Sequence, residues 1–338
     1  MTGPEPPFDH LLRLSDDTGV LEHARGAVPR RQSGYCTDDV ARALVVICRQ
    51  PSPPAEVAIL AERCLAFLVH AQAGDGASHN RLGYDRRWQD QPGLGDWWGR
   101  SLWASGTAAA RGLSVRFRAD ALAHFEAGVA GRSLSPRAMA YAALGAAEVL
   151  SLRSDHAAAL DLLKAAGAAL SGSPADEAWP WPEPRLGYAN ARWAEALLAA
   201  GGGLDDDRLV DQGLRLLDWL LDVETIGDRL SLTPVGGWGP GEPRPGFDQQ
   251  PIEAAALADA CARGYLVTGS DRFVAGVSRA VAWFLGENDT QVPMYDRQTG
   301  GGYDGLERDG RNENQGAEST IALISTLQQG IRLIGGPP

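Results

Sequence analysis

The sequence predicts an all-α fold, an (α/α)6 toroid of six inner and six outer helices. Three observations carry this. An Ala/Leu-rich helical run opening on a polar cluster occurs six times, a more charged amphipathic run alternates with it, and the links between runs alternate in length. Dry and wet helices in strict alternation imply two concentric rings. The 338 residues, 1–338, then form a single barrel domain with its long loops on the face carrying the inner-helix N-termini.

In chain order, the outer runs are Phe8 to Leu14, Ala55 to Gln72, Val115 to Ala127, Asp155 to Leu170, Asp207 to Val223 and Asp271 to Leu285. Their charges fall at helical spacing, as in "AEVAILAERCLAFLVHAQ", which leaves each one wet face. The inner runs start at Tyr35 ("YCTDDVARALVVI"), Asp96 ("DWWGRSLWASGTAA"), Ser135 ("SPRAMAYAALGAA"), Tyr188 ("YANARWAEALLAA"), Gln249 ("QQPIEAAALADAC") and Asn314 ("NQGAESTIALIST"). After the opening turn they carry almost no charge, as suits helices packed on most sides. Pro136 and Pro251 fit first helical positions, where the missing N–H costs nothing.

Inner-to-outer links such as "GLS", "LRSD" and "TGS" are short, whereas Ala73–Gly95, Ser171–Gly187, Glu224–Asp248 and Gly286–Glu313 are long. Long irregular segments in a compact domain are usually functional. They and the helix starts they feed hold Trp88, Trp97, Trp98, Trp179, Trp181 and Trp238, which either brace the loops or offer flat faces to the C–H faces of a sugar ring.

A formal net charge of −12 argues against nucleic acid or an anionic membrane as the main partner. No basic-then-apolar leader opens the chain and no apolar run reaches the about 18 residues of a span. Cys36, Cys48, Cys64 and Cys261 have no CxxC spacing and read as free thiols, so a cytoplasmic location is expected.

Registering the six inner runs gives one column of Asp39, Trp97, Leu134, Ala189, Gln250 and Gln315, and a second, three residues on, of Arg42, Arg100, Arg137, Arg192, Glu253 and Glu318. Residues i and i+3 share a helix face. The arginines form either a ring of structural salt bridges or a set of donors to hydroxyl, carboxylate or phosphate groups. One acid per helix start is explained by capping. The Asp38–Asp39 pair is not, because only one of the two can cap.

Glycoside hydrolysis needs two carboxylates about 5 Å or roughly 6.5 to 9.5 Å apart. Neighbours on a helix diverge by about 100°. The partner of Asp38 or Asp39 is therefore expected on another helix, Glu318 first, then Glu253 and Asp248. The six histidines are scattered and none occupies an inner-helix mouth, which argues against a zinc site or a histidine-dependent sugar epimerase. His79 is singled out with Asn80, Tyr84, Asp85, Arg86 and Arg87 in "SHNRLGYDRRWQD". No P-loop or strand-borne GxGxxG is present, so neither a metal nor an organic cofactor is expected.

The alternation resembles the six-hairpin glycosidase superfamily, and consecutive acids at an inner-helix mouth are similar to the Asp-Asp pair of its endo-mannanases. "YCTDDVARAL", "HNRLGYDRRWQD", "YANARWAEALL", "FDQQPIEAAALADAC" and "NENQGAEST" resemble a bacterial domain found beside or fused to glycosyltransferases. That domain carries a Ser-His pair where this chain has Trp97 and Trp98, and an Asp where it has Ala189. The second departure shifts the opposing acid to Glu318, Glu253 or Glu195.

The resemblance implies a carbohydrate-active enzyme, a glycoside hydrolase on a short oligosaccharide or glycoconjugate, with a glycosyltransferase as partner. Its expected catalytic residues are Asp38, Asp39, Glu318 and Glu253. Substrate binding falls to Tyr35, Arg42, His79, Asn80, Tyr84, Asp85, Arg86, Trp97, Trp98, Arg100, Arg137, Tyr188, Asn190, Arg192, Trp238, Asp248, Gln249, Gln250, Asn314 and Gln315. The alternatives are a catalytically silent sugar-binding module and a phosphorylase or lyase on an anionic sugar.

Overall fold

The structure, a computed structural model, describes residues 4–172 and 178–335. Within the expected Ser171–Gly187 link, residues 173–177 lie outside the described set, as do both ends of the expected 1–338 domain. Among the described residues the chain runs through α1 (Asp9–Arg13), α2 (Thr37–Arg49), α3 (Ala55–Ala71), α4 (Asp96–Arg111), α5 (Val115–Gly128) and α6 (Pro136–Leu152). It continues through α7 (Ala157–Leu170), α8 (Ala191–Leu204), α9 (Asp207–Val223), α10 (Pro251–Thr268), α11 (Asp271–Leu285) and α12 (Ala317–Ile334).

Even-numbered helices touch in sequence order and α12 returns to α2, which closes the inner ring; the odd-numbered helices pack outside. The fold is the expected all-α (α/α)6 toroid. No described helix is long and apolar enough to cross a membrane. All four cysteines are free and buried.

Local chemistry sets the helix ends. Ser114, Ser135, Asp206 and Ser270 each accept a backbone N–H of the first turn that would otherwise lack a partner. Pro136 and Pro251 take first helical positions. Gly269 and Gly286 end α10 and α11 at φ 67° and 106°, a left-handed conformation in which a side chain is strained.

The inner helices approach closely because their facing surfaces are Ala and Gly. A Cβ on Gly106 would lie 2.3 Å from the Gly145 carbonyl, and one on Gly145 would lie 2.3 Å from that of Leu102. Burial of the apolar faces makes one contiguous cluster from Phe8 to Leu327. At about 25 cal/mol per Å² removed from water, this supplies most of the driving force for folding.

The first outer helix is only five residues long. α8 and α12 start three residues later than the repeat predicts, at Ala191 and Ala317. The residues before them are held outside the helices: Gly187 N–H donates to the Asn190 side chain, and Gln315 and Gly316 N–H donate to Gly26 O and Asp304. Leu134, placed in the first column by the repeat, is fully exposed ahead of α6.

Candidate functional site

The first turns of α2 and α12, the side of α4 and the segment around Glu22 enclose a hollow of about 320 Å³. It is lined by Glu22, His23, Cys36, Asp38, Asp39, Arg42, Arg81, Arg100, Gln250, Asp304, Gly316, Glu318 and Ser319. Arg42 spans two acids: Nη2 donates to Asp39 Oδ1 at 2.6 Å and Nη1 to Glu318 Oε2 at 2.8 Å. Arg100 Nη1 donates to Asp38 Oδ1 at 2.6 Å, its Nη2 to the Tyr141 hydroxyl at 2.8 Å. Each acid is thus paired with an arginine, yet open volume remains beside them. Asp39 is nearly buried, with 4% of its side chain exposed, whereas Glu318 keeps 44%.

Burial separates the two adjacent carboxyls. For Asp39 it dominates: opposed by Arg42 and reinforced by the charges of Glu318, Glu22 and Asp38, it lifts the pKa to about 7. Burial would lift Asp38 as well, but the charges of Arg100 and Arg42 and the Arg100 hydrogen bond outweigh it and hold Asp38 below the usual carboxylate range. One carboxyl is therefore pushed to titrate near neutrality while its neighbour stays ionised there, the condition under which an acid and a base coexist in one site.

The expected ring of six charged residues breaks into separate groups. Only Arg42, Arg100 and Glu318 reach the hollow. Arg137 sits at the rim on Glu183 and the Tyr188 carbonyl. Arg192 pairs deeper with Glu195 at 2.5 Å and Asp259 at 2.7 Å. Glu253, expected as a catalytic acid, is buried against α8 and accepts the N–H groups of Ala189 and Asn190 and the Asn190 amide. Burial and the charge of Glu224 raise its pKa to about 8 against those donors. Equal spacing from a helix start does not set equal depth here, because the six lead-ins differ.

Other expected ligand residues have partners within the protein and do not line this hollow. Trp98 is buried with its indole N–H on Gly128 O, and Trp97 donates to Ser78 O at 2.6 Å. Trp238 packs edge-on to Trp179 in a cluster with Trp181 and Trp219 that braces the loops. Gln249 is buried on Leu232, Gly246, Trp283 and Asp289, and Gln315 on Asp296 and Thr299. Asn190 is buried with Glu253 and Gly187, and the Tyr35 hydroxyl is spent on Asp16.

His79 stacks on Trp88 and bonds Asp90 O, while Asn80 accepts from the Cys36 thiol. Asp85 and Asp248 are exposed outside the hollow, and Arg86 pairs with Asp17 on the surface. Gln250 lines the hollow. Tyr188, 39% exposed, lies beside it with the Arg100 guanidinium 5.7 Å from its ring centre. Tyr84 and Asn314 line a neighbouring hollow.

Sequence reasoning missed Glu22, His23, Arg81, Asp304, Tyr141 and Ser319. Glu22 is held by Arg81, and Asp304 accepts Gly316 N–H and the Ser319 hydroxyl. Glu22 and His23 lie before the first inner helix, so no register of helix starts reaches them; the polar "LEHARG" between two apolar stretches is their only trace. His23 reaches the hollow from the segment ahead of the first inner helix, although no histidine occupies an inner-helix start.

Among the described residues, one group, Glu22, Cys36 and Asp39, brings possible metal-ligand atoms within 4.8 Å of one another. Arg81 on Glu22 and Arg42 on Asp39 already supply positive charge there. Burial and the neighbouring acids keep the Cys36 thiol protonated.

No protein-family model matches the chain, and no curated protein matches it. Solved structures do. A sugar epimerase from a ruminal bacterium superposes with a TM-score of 0.72 at 12% identity, covering 98% of this chain and 96% of that one. Cellobiose 2-epimerase from Spirochaeta thermophila gives 0.67 at 11%, covering 96% and 93%, and a GH76 alpha-mannanase from Bacteroides thetaiotaomicron 0.62 at 9%, covering 90% and 88%. These likenesses show the fold, the (α/α)6 barrel that the chain shares with those structures.

Proposed function

We propose that this protein is a carbohydrate-active enzyme, a glycoside hydrolase acting on a short oligosaccharide or glycoconjugate. The observation that supports it is the gathering of three carboxyls in one hollow, Asp39 and Glu318 on the two arms of Arg42 and Asp38 on Arg100, with burial raising Asp39 and the two arginines lowering Asp38. Protonated Asp39 donates its proton to the glycosidic oxygen as the bond to the leaving sugar breaks. Glu318 serves as the second carboxylate, on the other arm of Arg42, and takes a proton from the water whose oxygen bonds to the anomeric carbon. Ionised Asp38 stabilises the positive charge that develops on the sugar ring, and Tyr188 offers a flat face at the rim.

The test is release of reducing ends from a glycan panel. Asp39→Asn and Glu318→Gln should each lower kcat/KM by about 10²- to 10⁴-fold, the range for loss of a general acid or base. Binding without turnover by the unaltered protein would instead make it a silent sugar-binding module. His23 in the hollow favours one second reading, proton transfer at a free reducing sugar. In that case a mono- or disaccharide would change configuration or isomeric form without release of a new reducing end, and His23→Ala would stop it.

A further inference from the structure

A second hollow of about 1360 Å³ adjoins the first. Its lining includes Arg13, Arg25, Arg30, Arg31, Tyr84 and Asn314. The wall between the two is thin. Leu21 and Arg25 line the outer hollow while Glu22 and His23, between them in the chain, line the inner one, and Asn314 and Gly316, two residues apart, likewise line one each. The wall is rigid, because Gly26 N–H donates to Asn314 Oδ1 at 3.0 Å, Gln315 N–H to Gly26 O at 3.1 Å and Ala317 N–H to Glu22 O at 3.0 Å.

The chain carries a net charge of −12 and pairs most of its inner-barrel arginines. Among the described residues, Arg13, Arg25, Arg30 and Arg31 nevertheless have no ion pair. Asp16, the carboxylate in the lining, is already committed to the Tyr35 hydroxyl at 2.6 Å and the Thr18 N–H at 2.8 Å. The lining therefore sets four guanidinium groups against one carboxylate, a positive balance within an otherwise acidic molecule, and a concave wall concentrates the field of such a set. Tyr84, 45% exposed, stacks on Tyr35 with the Arg31 guanidinium 5.7 Å from its ring centre, an aromatic face flanked by donors.

We infer that this outer hollow is a subsite for the acidic part of the substrate, and that the ligand is an oligosaccharide bearing carboxylate or phosphate groups. A chain a few sugar units long, with its scissile bond at Asp39, passes over the thin wall and places its anionic groups against Arg25, Arg30 and Arg31 while a sugar ring rests on Tyr84. Guanidinium groups suit both anions, since their paired N–H donors match carboxylate and phosphate oxygens. The inference rests on the reading of the Asp38–Asp39 hollow as a sugar site.

The experiment is calorimetric binding to the Asp39→Asn protein of three oligosaccharides of equal length: neutral, uronate-containing and phosphate-substituted. A single-stranded oligonucleotide serves as the fourth probe. An acidic sugar should bind about tenfold more tightly than the neutral one at low salt, an advantage expected from a few exposed ion pairs and screened away at high salt. Whichever acidic sugar carries the preference identifies the anion. The Arg25→Ser/Arg30→Ser/Arg31→Ser variant should bring its affinity down to that of the neutral sugar.

Equal binding of acidic and neutral sugars, a preference that survives in the triple variant, or oligonucleotide binding as tight as that of the acidic sugar would each overturn the inference. Turnover of neutral glycans without an acidic preference removes the inference and leaves the proposed hydrolase. Arginine-dependent acidic binding without any turnover does the reverse.

Discussion

Asp39 concentrates the chemistry and its cost. With a pKa raised to about 7, it holds the proton that a general acid needs, so kcat/KM should fall on the alkaline side with a midpoint near pH 7. Because the Glu318 charge helps to keep that proton, Glu318→Gln should move the Asp39 carboxyl titration, followed by carbon NMR, to lower pH; an unmoved titration would show that the two acids are not coupled. The same shift weakens the fold. A carboxyl whose folded pKa lies above its unfolded value of about 3.9 favours folding only while protonated, and that advantage disappears as pH rises through 7. Asp39→Asn should therefore gain stability relative to the unaltered protein between pH 5 and pH 8 in urea titrations. A stability difference that is flat across this range would contradict the burial of an ionisable carboxyl there.

At the scale of elements, most of the helices were legible because dry and wet runs alternate and because serine, aspartate and proline mark their starts. α8 and α12 were misplaced by three residues, since their lead-ins are fixed by partners distant in sequence, Glu253 and Asp304, which periodicity does not encode. The glycines of α4 and α6 carry a further prediction. Each lies against the carbonyl backbone of the other helix, so Gly145→Val must push the pair apart; a cost of about 1–3 kcal/mol is expected, read as a lower urea midpoint. Glu253→Ala strips the acceptor from three buried donors and should cost a similar amount, about 1–3 kcal/mol, in the same measurement. Once folded, that variant should keep its pH–rate profile, because Glu253 lies outside the hollow. A changed profile would return Glu253 to the catalytic set.

At the scale of the whole molecule, the Asp38–Asp39 pair stood out in the sequence because a helix start needs one acid and this one has two. The arginine column did not translate into a ring, since long side chains from unequal lead-ins reach different depths. Arg192 and Arg49 instead meet inside the barrel on Asp259, at 2.7 and 3.0 Å, where Gln329 and Ser325 also donate. That one carboxylate joins α2, α8, α10 and α12, four of the six inner helices. Burial would raise its pKa, but the charges of Arg49 and Arg192 and the hydrogen bonds of Gln329 and Arg192 hold it at about 2. A carboxyl depressed in this way stabilises the fold above its unfolded pKa of about 3.9, and the contribution is lost as pH falls towards 2. Asp259→Ala leaves the Arg49 guanidinium without a carboxylate and Arg192 with Glu195 alone, and should cost about 3–5 kcal/mol at pH 7. The gap between the two proteins in urea titrations should narrow steadily from pH 4 to pH 2. A gap under about 1 kcal/mol at pH 7 would mean that the ring is held by its apolar seams without this carboxylate.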